Sequence, residues 1–209
     1  MKHLRFGALN IVFTEKVDGN QRDEENRQKV ISKFKLNSVF IPRQKHTSVI
    51  TTPENLDIDA DGIYISQKNT AAGVLTADCL PVVITDYKRV AVVHAGWRGL
   101  VNGIIENALQ FFKDEIFCFI GPSAGKCCYE VGEEFVENML KKGIDSRYFY
   151  SNGSKITFSL KDLAADKMKR YGVKQIFDIS LCSICSEDFF SYRKGDFDKR
   201  ILTFSWLEE

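Results

Sequence analysis

Charge of one sign is what this 209-residue chain lacks most plainly: 29 Lys and Arg stand against 28 Asp and Glu, for a formal net charge of +1. That balance excludes the strongly basic face of a dedicated nucleic-acid or membrane-surface binder. Long apolar runs are missing as well, and none approaches the ~18 residues of a membrane span. Residues 1–16, MKHLRFGALNIVFTEK, have neither the apolar centre nor the small-residue cleavage site of a secretory leader. The expectation is a cytoplasmic protein with no nucleic-acid and no membrane partner. Proline is scarce, at four residues, and no repeat, low-complexity tract or long linker interrupts the chain. One domain over residues 1–209 is expected. The oligomeric state is left open, and a monomer is compatible with the sequence.

What is present is a large apolar fraction, 44%, with sixteen Phe, enough for a sizeable core. The stretch 73–103, GVLTADCLPVVITDYKRVAVVHAGWRGLVNG, organises the rest. Two Val- and Ile-rich runs, 81–85 and 89–94, flank the polar turn Asp86-Tyr87-Lys88, which predicts a hairpin. Pairing Asp86 with Arg89 sets Pro81 opposite His94 and Cys79 opposite Gly96. A thiol and an imidazole then meet at the open end of the hairpin. Residues 100–112 read as a helix, with apolar residues at a helical period. Elsewhere, strands are expected at 9–14, 38–41, 47–52, 60–65, 71–75, 115–120, 156–158, 175–180, 189–193 and 201–206. Helices are expected at 23–36, 132–142 and 160–171, the last stopped by Gly172. Hairpins mixed with strand–helix–strand units predict an α+β fold, a large mixed sheet flanked by helices.

Histidine is restricted to positions 3, 46 and 94. His3 is expected at the surface. His46 and His94 together with Cys79 supply three ligands and leave a fourth position open, the pattern of a catalytic zinc site. The same hairpin supports a metal-free alternative, a Cys79 nucleophile activated by His94. Arg98 and Arg193 are candidates for holding an anion, as is the start of the helix after His94, where backbone N–H groups lie unpaired. Six Cys in a reducing compartment are expected as thiols or ligands rather than structural disulfides. Cys182-x-x-Cys185 is half of a zinc ribbon or a redox pair. The plainer expectation for Cys127, Cys128, Cys182 and Cys185 is structural burial.

Thr76-Ala77-Asp78-Cys79-Leu80-Pro81 followed by His94-Ala95-Gly96-Trp97-Arg98-Gly99 resembles the signature of the YfiH-like family, also called the laccase-domain or polyphenol oxidase family. Gln44-x-His46, Ala60-Asp61-Gly62, Gly121-Pro122-Ser123, Cys127-Cys128-Tyr129-Glu130-Val131-Gly132 and Phe190-Ser191-Tyr192-Arg193 extend the match in order along the chain. Thr47 and Ala124 depart from it, where the family usually has Gly and Ile. The resemblance implies an α+β fold and a metal site made by His46, Cys79 and His94, which would also be the catalytic residues. It implies zinc as cofactor, with copper as the alternative. It adds Gln44 and Asp78 to Arg98 and Arg193 as substrate-binding candidates. The implied partners are a purine nucleoside and phosphate: phosphorolysis of adenosine, inosine and methylthioadenosine, with deamination of adenosine. Copper-dependent phenol oxidation is also attributed to the family. A non-enzymatic binding protein with a vestigial pocket stays open as a further class.

Overall fold

The structure, a computed structural model, describes residues 1–36 and 38–209. In chain order the elements begin with β1 (Lys2–Phe6), β2 (Leu9–Phe13), α1 (Glu24–Ser32), β3 (Val39–Phe40), β4 (Ile50–Thr51), β5 (Gly62–Ile65) and β6 (Ala71–Thr76). The centre of the chain holds β7 (Leu80–Thr85), β8 (Val90–Ala95), α2 (Trp97–Val101), α3 (Ile104–Leu109) and β9 (Phe117–Ile120). There follow β10 (Glu130–Val131), α4 (Glu133–Lys141), β11 (Phe149–Asn152), β12 (Lys155–Phe158), α5 (Leu160–Tyr171), β13 (Gln175–Asp178) and β14 (Ile201–Leu207).

The expected α+β class is present, with its strands divided among three sheets rather than gathered in one. A mixed six-stranded sheet runs β13-β9-β7-β8-β5-β4, a mixed five-stranded sheet runs β1-β2-β14-β6-β3, and β10-β12-β11 form a small third. The division follows from burial. Every residue of β7 and of β8 is buried, so both faces of the larger sheet need cover. On one face Leu80, Val82, Ile84, Ala91 and Val93 share a core with Leu100, Ile104 and Ala108 from α2 and α3 and Leu163 and Met168 from α5. On the other, Val83, Val90, Val92 and Phe119 meet Leu9, Ile11, Phe13 and Val74 of the five-stranded sheet. The far side of that second sheet buries Val12, Phe204 and Trp206 against Val30 of α1. The order of layers is helix, sheet, sheet, helix.

The central hairpin has the register read from the sequence, with Pro81 opposite His94 and Leu80 opposite Ala95. Its turn is locked by Asp86, whose side chain accepts from the backbone N–H groups of Lys88 at 3.0 Å and Arg89 at 2.8 Å and pairs with the Arg89 guanidinium.

Several expectations change. The helix foreseen at 100–112 starts earlier, at Trp97, and is two short helices, because Gly103 takes a left-handed conformation with φ 88° that ends one and starts the next. Its dipole is correspondingly small. The strand foreseen at 189–193 is a buried loop running into a single 3-10 turn, Tyr192–Lys194. Its polar groups go to a carboxylate instead of a neighbouring strand: Ser191 Oγ and the Arg193 N–H both donate to Asp78. β1 was not foreseen, since its residues are at most half-buried and show no continuous apolar run. The cysteines at 127, 128, 182 and 185, expected to be buried, are exposed or half-buried; Cys118 is the buried one.

Phe119 stacks on Phe177 at a centroid distance of 4.7 Å and lies 4.9 Å from Phe6, joining β9 to a neighbouring strand and to the second sheet. Phe119→Ala is expected to lower the unfolding free energy by ~3–5 kcal/mol, read by urea denaturation. A loss below ~1 kcal/mol would mean that the sheet–sheet core does not depend on this ring.

Candidate functional site

The open end of the β7–β8 hairpin brings Cys79 and His94 together, and the loop after Pro42 adds His46. One ligand atom from each lies within 4.8 Å of the others. Cys79 Sγ is 3.8 Å from His46 Nε2, and the two imidazole rings are edge to face with centroids 4.9 Å apart. Gly96 makes the convergence possible: a Cβ there would stand 3.0 Å from His46 Cδ2 and 3.1 Å from Cys79 Sγ. The small residue is required by close approach.

Asp61 organises these donors. It is fully buried. Its Oδ1 lies 2.7 Å from His94 Nδ1, and its Oδ2 accepts from the backbone N–H groups of Lys45 and Thr47 on either side of His46. The backbone carbonyl of Asp61 also accepts from the His94 N–H at 2.7 Å. Burial pushes the Asp61 carboxyl up, but His94 and the two backbone donors outweigh it and hold the group down at about 2. With Nδ1 turned to the carboxylate, Nε2 of His94 is the nitrogen left for a ligand, the arrangement in which a carboxylate orients a metal-binding imidazole. The donor set of two imidazoles and one thiolate, braced by Asp61, fits one metal ion.

Without a metal, Cys79 and His94 form a charged pair. Burial raises the Cys79 thiol, but His94 and His46 beside it prevail and bring it down to about 6. Burial likewise works against a charged His94, and Cys79 and Asp61 overcome it and push its pKa up.

A cavity of about 580 Å³ opens over these residues, inside the ~300–1,000 Å³ range of small-molecule sites. Its walls include Trp97, Tyr129 and four arginines, Arg22, Arg98, Arg193 and Arg200. Arg98 lies over the Trp97 ring at 4.5 Å and Arg193 over the Tyr129 ring at 4.7 Å. Burial and the charge of Arg22 both depress the pKa of Arg200, the sign of like charges crowded together.

All the sequence-derived site residues line this cavity, including Gln44 and Asp78. Those two side chains are already bonded within the protein. The Gln44 amide donates to the Leu75 carbonyl and accepts from the Leu75 N–H, both at 2.8 Å. Asp78, at φ 81°, accepts from Ser183 Oγ at 2.6 Å, Ser191 Oγ at 3.0 Å and the Arg193 N–H at 2.8 Å. His3 stays outside the site, bonded to Asn10 on the neighbouring strand. Sequence reading missed Arg22, Tyr129 and Arg200 as cavity residues and Asp61 as the brace. The sequence signal for Asp61 was its place in the Ala60-Asp61-Gly62 motif; its role follows from the fold, where Gly62 pairs with Val93 and sets Asp61 beside His94.

In metal-free protein the rate of Cys79 alkylation by iodoacetamide is expected to rise with pH through a midpoint near 6, against ~8.5 for an ordinary thiol. Asp61→Asn removes the charge that supports the His94 imidazolium, so the midpoint moves up. A midpoint that stays near the ordinary value in the parent would refute the charged pair.

The chain matches the model of a family described as multi-copper polyphenol oxidoreductase laccase over residues 2–208. It is 36% identical over 172 residues to a purine nucleoside phosphorylase of Aquifex aeolicus, covering 79% of this chain and 81% of that one. It is 32% identical over 203 residues to the purine nucleoside phosphorylase YfiH of Escherichia coli, covering 91% of this chain and 83% of that one. Among solved structures, a Neisseria meningitidis protein superposes with a TM-score of 0.86 at 26% identity, covering 100% of this chain and 99% of that one. YfiH of Bacillus licheniformis gives 0.83 at 25% identity, covering 96% and 93%. With its fold, its motifs and nearly its whole length matched, the chain belongs to the YfiH-like laccase-domain family.

Proposed function

We propose that this chain is a zinc-dependent purine nucleoside phosphorylase that also deaminates adenosine. The observation that carries the reading is the joining of four guanidinium groups and the His46/Cys79/His94 set in one cavity. Phosphorolysis needs a phosphate dianion held against the anomeric carbon, and the arginines supply the opposing charge; each charge-assisted bond they make to an oxyanion is among the stronger hydrogen bonds available. Trp97 and Tyr129 offer aromatic wall for a planar base. His46, Cys79 and His94 would hold the metal, which would supply Lewis acidity beside the bound substrate. Asp61 keeps the His94 ring oriented throughout. Because α2 spans only five residues, its N-terminus adds little, and the arginines carry the anion.

The family's description points to copper, and one copper could sit on two imidazoles and a thiolate. A multi-copper cluster needs more imidazoles than the chain has: of three His, only His46 and His94 face the cavity. A second reading rests on the depressed Cys79 thiol beside His94 and Asp61, an arrangement resembling a cysteine hydrolase triad. It requires activity that survives complete metal removal and a covalent adduct on Cys79.

Arg98→Ala is expected to raise the KM for phosphate about ten- to a hundredfold, from the ~1.5–3 kcal/mol of a charge-assisted bond, with a much smaller change for nucleoside. Equal phosphate KM in a folded variant would remove Arg98 from the anion site. Cys79→Ala is expected to abolish phosphorolysis and deamination together. Elemental analysis of Cys79→Ser should find one zinc per chain fewer than in the parent, and unchanged zinc would refute the ligand assignment.

A further inference from the structure

A second cluster lies outside the catalytic set. We propose that Cys127, Cys128, Cys182 and Cys185 hold one divalent metal ion, zinc by preference, in a closed tetrahedral thiolate site that fastens the cavity wall. The four sulfurs lie within 4.8 Å of one another. Cys185 Sγ is 2.9 Å from Cys128 Sγ and 3.3 Å from Cys127 Sγ. A tetrahedron with metal–sulfur bonds of ~2.3 Å has edges of ~3.8 Å; the two Cys185 separations are shorter than that edge, so these sulfurs move apart by less than about 1 Å to hold an ion.

Three features beyond proximity point to a metal. First, Cys182 Sγ accepts from the backbone N–H groups of Gly125 at 3.3 Å and Cys185 at 3.5 Å. Donors aimed at a sulfur favour its anionic form, and the bond inside Cys-x-x-Cys turns both sulfurs of the motif to one side. Second, the facing loop is shaped to the sulfurs. A Cβ at Gly125 would lie 3.1 Å from Cys127 Sγ and 3.3 Å from Cys182 Sγ, so glycine is what lets the two segments close. Third, four donors converge where one disulfide needs two, and Cys185 touches two sulfurs at once. The thiols are exposed or half-buried, so an ion has an entry path. On binding, the four sulfurs release their protons to solvent and coordinate as thiolates.

The site has no open position, so it carries no chemistry of its own. Its effect is mechanical. The 123–129 segment lends the Ala124 N–H to the Asp78 carbonyl and Tyr129 to the cavity. The 182–185 turn lends Ser183 Oγ to the Asp78 carboxylate and bonds its Ser183 N–H to the Ser123 carbonyl. An ion joining the two segments holds Asp78, and through it the Arg193 turn, in place.

The test uses the full chain with Cys79→Ser, which removes the thiolate donor of the cavity and leaves the four-cysteine cluster intact. The protein is reduced, stripped with a chelator, and titrated with Co²⁺ and then Zn²⁺. One equivalent of Co²⁺ should give the intense sulfur-to-cobalt and visible bands of tetrahedral thiolate coordination, and one equivalent of Zn²⁺ should bleach them. Adding Cys185→Ser should remove this spectrum. If that double variant does not fold by circular dichroism, the Cys79→Ser titration decides alone, because the band intensity counts thiolates. Folded, reduced Cys79→Ser that develops no sulfur-to-cobalt band overturns the proposal. So does a spectrum unchanged by Cys185→Ser, and so do two disulfides that persist in the cluster after reduction.

Discussion

Asp61 sits at zero exposure and accepts hydrogen bonds from His94 Nδ1 and from the backbone on both sides of His46. A carboxylate so placed costs several kcal/mol in desolvation unless its charge is met. Here it is met by the groups that must be positioned for the site to exist, so the cost of burial and the precision of the site are one constraint. Losing Asp61 would free the His94 ring and release the loop that aims His46. Its place at the head of β5, beside the strand that carries His94, ties that constraint to the register of the six-stranded sheet.

Backbone strain is present in the same region. His46 has φ 59° and Asp78 φ 81°, left-handed values for residues other than glycine, which cost on the order of 1–3 kcal/mol each and persist only where the surroundings over-determine them. Asp61 over-determines His46 through Lys45 and Thr47. Ser183, Ser191 and the Arg193 N–H do the same for Asp78. Cys79 follows Asp78 directly, so the strained turn aims the thiol at the imidazoles. Local strain is thus converted into placement of the reactive group.

The cavity is electrically lopsided in a chain that is nearly neutral overall. Four arginines surround it, and the one carboxylate on its wall, Asp78, is engaged by the protein's own donors. The resulting positive field favours an anionic substrate, while stacking on Trp97 and Tyr129 holds two of the guanidiniums without neutralising them. The loops that carry Tyr129 and Arg193 are tied to each other where the Arg193 side chain donates to the Glu130 carbonyl at 2.8 Å. They are tied again through the cysteine-rich segments, where Ser123 and Cys182 form a β-bridge, so one wall of the cavity is built largely from loops outside the two main sheets.

Local pattern determined a good deal by itself. The paired Val- and Ile-rich runs and the turn chemistry of residues 80–95 set the hairpin and its register, and with it the meeting of Cys79 and His94. The helical period and the glycine stop set α5 at Leu160–Tyr171. These features depend on neighbours a few residues apart, whose side chains declare a face or a turn. Tertiary structure decided the rest. Which strands share a sheet was settled by the need to cover both faces of β7 and β8, and the 189–193 run became a loop because Asp78 took its polar groups. Asp61 became a brace only when β5 paired with β8, and Arg22 and Arg200 met Arg98 and Arg193 only through folding. The four cysteines join segments 57 residues apart, measured between Cys128 and Cys185. No period or spacing encodes such meetings, because they are fixed by how buried surfaces choose their partners across the whole chain.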